Sequence, residues 1–209
     1  MVRIRKTLWF QRFKRLALSL CFLMVCSAHA TSIMQRSLDD MILGSELIFE
    51  GRVAHVETNG HGRQIHTRIT FEILDIIKGR WDHRSITLNF LGGSINGNAL
   101  KIDGMQYPQI TEKGIYFVES LEQRQVHPLF GWSQGHFVTF RDELGIEYVM
   151  TANKKPVVAL DFASKRRKAR LSQGVADGIV IKTKDSVTRS MPADEFKQVL
   201  IGRLKGLEP

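Results

Sequence analysis

Cysteine is almost absent from this sequence: only two of its 209 residues are cysteine, Cys21 and Cys26. Both lie among the first thirty residues, so the rest of the chain cannot be a domain held together by disulfides. The same segment contains no acidic residue, and no apolar run in the chain reaches the roughly 20 residues that span a membrane. The main part of the chain must therefore be stabilised by its own hydrophobic core.

The first thirty residues have the three parts of a secretory signal peptide. Six cations occur within residues 1–15, and an apolar run of eleven residues, Leu16–Cys26, follows them. Ala28-His29-Ala30 then provides a small-x-small cleavage site. We therefore expect cleavage after Ala30 and a periplasmic or secreted product, no longer an integral membrane protein, that begins at Thr31.

Two alternatives to a cleaved signal peptide are open. One is an uncleaved membrane anchor. The other is a lipoprotein, because Leu23-Met24-Val25-Cys26 has a leucine and a cysteine at the spacing of a lipoprotein signal. Val25 is bulkier than the small residue that usually precedes the modified cysteine, and the short apolar run argues against an anchor.

The positive charge of the chain comes partly from the signal segment. The whole chain has a net charge of +9, whereas the residues after Ala30 have 24 cations and 21 anions, a net charge of +3. The basic run Lys165 to Arg170 is interpreted as a solvated loop, with attraction to an anionic surface or partner as the alternative. No aromatic residue is interleaved with these cations, so we expect no nucleic-acid partner.

Residues 31–209 are predicted to form one mostly β domain. A short helix is expected to begin after Ser37 and to end at Gly44, and an amphipathic helix is expected over about 192–204. Many short stretches of alternating polarity predict a small antiparallel barrel or sandwich with a core over about 45–160. The predicted strands lie near residues 47–57, 65–77, 86–90, 115–118, 135–140, 146–150, 156–160 and 179–181.

The first two predicted strands form a hairpin around Asn59–Gly62. Both strands place apolar residues at odd positions, so we expect Val53 opposite Thr67 across a three-residue loop. That register puts His55 on the inner face of the sheet and His66 on the outer face. It argues against a metal site made from the histidines of this hairpin.

The sequence Gly131-Trp132-Ser133-Gln134-Gly135 matches the G-x-S-x-G motif of serine hydrolases. In those enzymes the motif joins a strand to a helix and exposes the serine. Here the alternating stretch His136–Phe140 follows, and His136 is the only histidine after Ser133. We therefore interpret the two glycines as a tight crossing between strands, with a serine hydrolase that uses Ser133 as the alternative.

Four stretches together resemble a group of uncharacterised secreted bacterial proteins. They are Leu47–Val53, Thr70–Gly79, Leu91–Gly93 and Gly131–Gly135, within about residues 38–140. That group is similar to the OB-type barrels of tissue inhibitors of metalloproteinases and of netrin-like modules. The resemblance implies an OB-like barrel and association with a secreted peptidase. It carries over no inhibitory site, because those inhibitors bind zinc through an N-terminal cysteine and this product would begin at Thr31.

These observations predict an exported, non-enzymatic binding or accessory module that uses no cofactor and no metal. Its partner would be an unknown protein or envelope component; a structural role in the envelope is a further alternative. The predicted binding residues are Trp132, Tyr107, Asn96 and Gln106, from the turn at 131–135 and the glycine-containing loop 92–111. Rigid aromatic rings beside amides suit a binding surface. The alternative is that Trp132 and Tyr107 cap the core.

Overall fold

A computed structural model describes residues 33–61, 64–123, 125–162, 170–183 and 189–207. The predicted signal peptide and, apart from Arg170, the basic run lie outside these ranges. The described residues belong to a single compact unit. Neither of their two helices has the length and apolar composition needed to cross a membrane.

The described part of the chain is mostly β, with a short helix near its beginning and a longer helix at its end, as predicted. Ser37 caps the first helix, where its Oγ accepts a hydrogen bond of 3.0 Å from the Asp40 N–H. In chain order the elements are α1 (Leu38–Gly44), β1 (Leu47–His61), β2 (Gln64–Lys78), β3 (Ser85–Leu91), β4 (Gly93–Ile95), β5 (Asn98–Leu100), β6 (Lys113–Val118), a 3-10 turn (Trp132–Gly135), β7 (His136–Arg141), β8 (Glu147–Thr151), β9 (Val157–Leu160), β10 (Ile179–Ile181) and α2 (Ala193–Leu207).

Six strands form one antiparallel sheet in the order β3-β2-β1-β6-β7-β8. The strands β9 and β10 form a second, two-stranded sheet, and β4 and β5 form a third. Within the described ranges β3 does not pair with β7 or β8, so the large sheet does not close into a barrel there.

The large sheet buries side chains on both faces, because successive strand residues point in opposite directions. Ile48 and Phe117 are opposite one another and contact the helices, whereas their neighbours Phe49 and Tyr116 point to the other face. The helix-side cluster includes Leu38, Met41, Ile42, Ile48, Ile115, Phe117, Phe137, Val149, Phe196 and Leu200. The cluster on the other face includes Leu47, Phe49, Val53, Ile69, Phe71, Ile86, Phe90, Tyr116, Val118 and Leu129.

The predicted register of the first hairpin is wrong because the hairpin contains β-bulges. Val53 lies opposite Phe71 and not opposite Thr67; Ala54 is then passed over, and His55 resumes the pairing. The extra residue turns the following side chains to the other face of the sheet. His55 is therefore 65% exposed at its side chain, and its prediction on the inner face is wrong.

The predicted loop over residues 92–111 contains a small hairpin, formed by β4 and β5, that was not predicted. Its turn residues Asn96 and Gly97 both have positive φ, 49° and 78°. Two such residues in succession form the type I′ turn that matches the twist of paired strands. The Asn-Gly pair in the sequence was the signal for it.

A chain of ion pairs fastens α2 to the sheet. Glu50 is almost fully buried, and its carboxylate contacts Lys113 at 2.9 Å and Lys197 of α2 at 2.7 Å. Burial alone would lower the pKa of Lys197, but the hydrogen bond and charge of Glu50 raise it above its ordinary value. Lys197 is therefore held in its charged form, which balances the buried carboxylate.

Candidate functional site

Trp132 lies at the start of the 3-10 turn in an unusual backbone conformation. Its φ is 64°, and Gly131 before it has φ 63°. Glycine adopts this left-handed region freely, but a bulky residue does so at a cost in free energy. The half-buried indole stacks on the ring of His127, with centroids 5.4 Å apart and an interplanar angle of 18°. The strained turn thus places an aromatic ring over a buried histidine.

His127 lies at the centre of this group and is only 2% exposed. Its Nδ1 accepts a hydrogen bond of 3.1 Å from the Leu129 N–H. Burial, and secondly the charge of His136, lower the pKa of His127 to about 3. His127 is therefore neutral at physiological pH.

Tyr107 joins the same group through Phe90, which lies between it and His127. The Phe90 ring is 6.0 Å from the Tyr107 ring and 5.0 Å from the His127 ring, in edge-on geometry. The Tyr107 hydroxyl donates to the Leu91 carbonyl at 2.8 Å, and burial raises its pKa. We call Trp132, His127, Phe90 and Tyr107 the aromatic–histidine stack.

The structure therefore brings two of the four predicted binding residues, Trp132 and Tyr107, to opposite ends of one stack. Gln106 adjoins Tyr107, and its side-chain amide hydrogen-bonds the side chain of Asn153. Asn96 is not part of this group, since it lies exposed at the tip of the β4–β5 hairpin. Trp132 and Tyr107 contact core residues, which is the arrangement expected of a core cap.

The G-x-S-x-G segment has a different geometry from a nucleophile elbow. Ser133 is buried within the 3-10 turn, which leads directly into strand β7 and not into a helix. The Nε2 of His136 contacts Glu112 Oε1 at 2.6 Å, and its Nδ1 has no hydrogen-bond partner among the described residues. Within the described ranges, no hydrogen bond joins Ser133 to His136 or to another base that could activate it as a nucleophile.

Gln134 and Gly135 of the same segment make structural contacts. The Gln134 side chain accepts from the Arg36 N–H at 2.9 Å and donates to the Met34 carbonyl at 3.1 Å. A Cβ on Gly135 would lie 2.5 Å from the Phe130 carbonyl oxygen. The glycine therefore permits a close approach of two backbone segments, which agrees with the predicted tight crossing.

A groove of about 660 Å³ lies on the outer face of β2 and β3, at the end of the hairpin where β1 ends and β2 begins. We call it the hairpin groove. Strands β1 to β3 form its floor, and the segment Gln125–Val126 forms its wall; a hydrogen bond of 3.0 Å from the Leu91 N–H to the Val126 carbonyl holds that wall. Its lining residues are Asn59, Gly60, Gln64, His66, Arg68, Asn89, Leu91, Gln125 and Val126.

Two polar atoms of the hairpin groove are buried and unpaired. His66 Nδ1 and Gln125 Oε1 find no hydrogen-bond partner within the described residues. The great majority of buried polar side-chain atoms in proteins are hydrogen-bonded. Both atoms belong to residues that line the groove, so unsatisfied hydrogen-bonding capacity lies next to it. Arg68, the only cation among the described lining residues, is already paired with Glu57 at 3.0 Å.

The aromatic–histidine stack and the hairpin groove share one wall. Gln125 and Val126 face the groove, whereas His127, the next residue, is packed against Phe90 and Trp132 on the inside. The groove is not apparent from the sequence, because no local pattern relates Gln125 to His66. The alternation of β2 did contain part of the signal, since it placed His66 on the outer face together with Arg68.

A second depression, of about 680 Å³, lies beside Arg52, Lys113 and Arg141. Lys113 and Arg141 are both paired with Glu147, at 2.5 Å and 3.0 Å. Its cations are therefore largely neutralised by neighbouring carboxylates. Across the residues described here, no group of three or more His, Cys, Asp or Glu side chains could hold a metal ion.

Comparison with known proteins gives no relative on which to base a function. No protein-family model matches the chain, and neither a curated protein nor a solved structure matches it. The function of the groove and of the stack must therefore be inferred from their own residues.

Proposed function

We propose that this chain is an exported, non-enzymatic binding module whose ligand occupies the hairpin groove. The observation that supports this most directly is the pair of buried atoms, His66 Nδ1 and Gln125 Oε1, which belong to two lining residues and find no partner within the described residues. A carbonyl oxygen such as Gln125 Oε1 needs a donor. The ligand therefore presents an N–H or O–H group to the Gln125 side.

The lining indicates a ligand that is polar and uncharged. Four of its nine described lining residues carry side-chain amides, the one cation among these nine is already paired, and Leu91 and Val126 add apolar contact area. Amides recognise hydroxyl and amide groups through directional hydrogen bonds, without a requirement for charge. Peptide backbones and neutral glycans have this chemistry.

The proposed OB-like character of the fold agrees with this position. OB-type barrels are five-stranded and partly open, and they bind ligands on the face of their second and third strands. The hairpin groove lies on β2 and β3 of this chain. Association with a secreted peptidase rests on the resemblance of the sequence alone; a peptidase gene next to this one would favour it.

The aromatic–histidine stack has a supporting part in this proposal. His127 follows directly on the wall residues, and Trp132 and Phe90 fix its ring from two sides. A packed His127 restricts the positions of Gln125 and Val126. Trp132 and Tyr107 are then core caps that hold the wall in place, and ligand contact is made by the groove.

The test is a binding experiment with the exported protein purified after expression of the full chain. The probes are neutral oligosaccharides and peptides selected from a random-peptide display library, and the readout is the change in NMR backbone shifts. We expect changes around His66, Asn89 and Gln125, lost in Gln125→Leu and retained in Gln123→Leu. The control substitution is the same change at an exposed residue that does not line the groove.

Two results would contradict the proposal. One is a probe whose shift changes centre on Trp132 and leave the groove residues unmoved. The other is chemical conversion of a probe that is lost in Ser133→Ala, together with fluorophosphonate labelling that is lost in the same variant. That second result would establish the serine hydrolase alternative.

A further inference from the structure

The outer edge of β3 ends at the hairpin groove. β3 is the terminal strand of the six-stranded sheet and is paired on one side only, with β2. Two hydrogen bonds show which of its residues face outward. The Leu91 N–H donates to the Val126 carbonyl, and the Ser85 carbonyl accepts from the Trp81 indole N–H, each at 3.0 Å. Because the direction alternates along a strand, the odd-numbered residues of β3 point their backbone groups away from β2.

Thr87 and Asn89 are the odd-numbered residues between these two contacts. Within the ranges that the structure describes, no backbone group pairs with their N–H and C=O groups on the outer side. Both residues are exposed. The edge thus offers two backbone N–H donors and two carbonyl acceptors. Trp81 bounds this free stretch of the edge at one end, and Val126 bounds it at the other.

Between Trp81 and Val126, the sequence of this edge strand has none of the residues that usually protect a sheet edge. Sheet edges are commonly blocked by lysine, proline, a bulge or an inward-pointing charge. β3 has the sequence SITLNFL, with no charged residue and no proline, and its pairing with β2 is regular from Ser85 to Leu91. Nothing in this strand therefore opposes the addition of another strand.

We propose that the partner of this protein contributes an extended peptide segment, which adds to β3 as a seventh strand and reaches the hairpin groove. This inference rests on the proposed binding function and specifies its ligand. The sheet is antiparallel throughout, so the added segment runs antiparallel to β3. Its residues opposite Thr87 and Asn89 exchange hydrogen bonds with the edge, and the segment meets the hairpin groove at Asn89, which belongs to the groove lining.

The geometry predicts a period of two along the bound peptide. The two residues opposite Thr87 and Asn89 use their backbone N–H groups, whereas the residue between them points its N–H away. N-methylation at either of the two positions removes a hydrogen bond and introduces a steric clash. We expect each of these methylations to weaken binding by about tenfold or more, and methylation of the residue between them to have little effect.

The experiment uses peptides selected on the wild-type protein from a random-peptide display library. Their affinities are measured for wild type, Thr87→Pro, Thr87→Val and Gln125→Leu, and an N-methyl scan is made on wild type. Proline removes the outward N–H of Thr87 and no bond to β2, and valine retains that N–H. We expect peptide binding to be lost in Thr87→Pro and retained in Thr87→Val. In the N-methyl scan, we expect affinity to fall at alternate peptide positions. If the Thr87→Pro variant does not fold, the scan on wild type still tests the proposal.

Other outcomes separate this inference from the proposed function. One such outcome is that the peptides bind Thr87→Pro normally but do not bind Gln125→Leu. Another is that only oligosaccharides bind, and that they bind in the groove. Either outcome would overturn the strand addition but would retain the groove as the ligand site. Binding that is unchanged in both variants would overturn both proposals. A dimer seen by sedimentation and lost in Thr87→Pro would show that the edge pairs with a second copy, which would also overturn the inference.

Discussion

Gly51 of β1 lies directly opposite Gly114 of β6, and aromatic rings occupy the space that their side chains would fill. A Cβ on Gly51 would lie 2.6 Å from the Phe49 ring, and a Cβ on Gly114 would lie 3.1 Å from the Tyr116 ring. The Phe49 and Tyr116 rings are also in contact with each other, with centroids 5.4 Å apart. At the centre of the sheet, each of the two rings thus packs over the glycine two residues away on its own strand.

Gly114→Ala should destabilise the protein strongly. Its new Cβ would collide with the carbonyl oxygen of Phe137 on the neighbouring strand, which cannot move without disturbing the ladder. We expect a loss of about 3 kcal/mol in the free energy of unfolding, at the upper end of overpacking costs. Gly202→Ala is the control, because that helical position has open space around it and should gain about 0.5–1 kcal/mol. Chemical denaturation of both variants measures their free energies of unfolding. Equal values for Gly114→Ala and Gly202→Ala would contradict the close packing around Gly114.

His127 should make the stability depend on pH. Its pKa is lowered to about 3 in the folded protein, so between about pH 6.5 and that value the unfolded chain binds a proton that the folded protein does not. Stability is therefore lost as the pH falls through this range, by up to about 1.4 kcal/mol per unit. His127→Asn keeps an acceptor for the Leu129 N–H and does not titrate. Its free energy of unfolding should fall less steeply between pH 6.5 and 4.5; an unchanged slope would contradict the prediction.

Trp132→Ala should expose His127 to solvent. The half-buried indole contributes less than a fully buried one, so we expect a loss of about 2 kcal/mol in stability, below the 3–5 kcal/mol of complete burial. Because burial is the main cause of the low pKa of His127, that pKa should rise toward its ordinary value. NMR titration of the His127 ring measures the shift, with Trp132→Phe as the control that keeps a stacked ring. A stable variant with an unmoved His127 pKa would argue against the core-cap interpretation.

Lys197→Met should show that α2 is fastened through Glu50. The substitution keeps most of the side-chain length but leaves the buried carboxylate with Lys113 as its remaining partner. We expect a loss of about 2–3 kcal/mol, somewhat less than for a buried charge with no partner at all. Lys205→Met, on an exposed position of the same helix, should change stability by less than about 0.5 kcal/mol. Similar thermal midpoints for the two variants would contradict this account.

Processing at Ala30 is tested directly by N-terminal sequencing or intact mass of the exported protein. We expect a product that begins at Thr31, because the short apolar run and the Ala28-His29-Ala30 site suit a cleavable signal. A start at a lipid-modified Cys26, or retention of Met1, would show that one of the two alternatives is correct.

Local patterns in the sequence were sufficient to predict the main helices and strands. The alternation from Ile65 to Ile73 predicted the inner face of β2, and Ser37 predicted the cap of α1. The bulge at Ala54 was not predictable in the same way, because an inserted residue leaves no signature in the periodicity of its own strand. The prediction for His55 failed for that reason: one extra residue inverts every side chain that follows it.

The candidate site was predicted less well, because it depends on contacts between distant parts of the chain. Trp132 and Tyr107 were identified from residue type, and both prove to contact a histidine stack whose centre, His127, was not singled out. The hairpin groove needs Gln125 beside His66, and that proximity results from the hydrogen bond between Leu91 and Val126. Only the three-dimensional arrangement contains this information.

The ion pair between Glu50 and Lys197 joins residues that are 147 positions apart. The helix-side cluster also joins residues that are far apart in the sequence, because Phe196 and Leu200 of α2 pack with Leu38 and Met41 of α1. Because the chain is synthesised from its N-terminus, the β1–β2 hairpin can form early, since its two strands are adjacent in the sequence. The helix-side cluster, by contrast, is completed only after the last helix has emerged. The helix-side cluster therefore cannot be complete before Phe196 and Leu200 are available, and until then the apolar residues of β1 that face it stay uncovered.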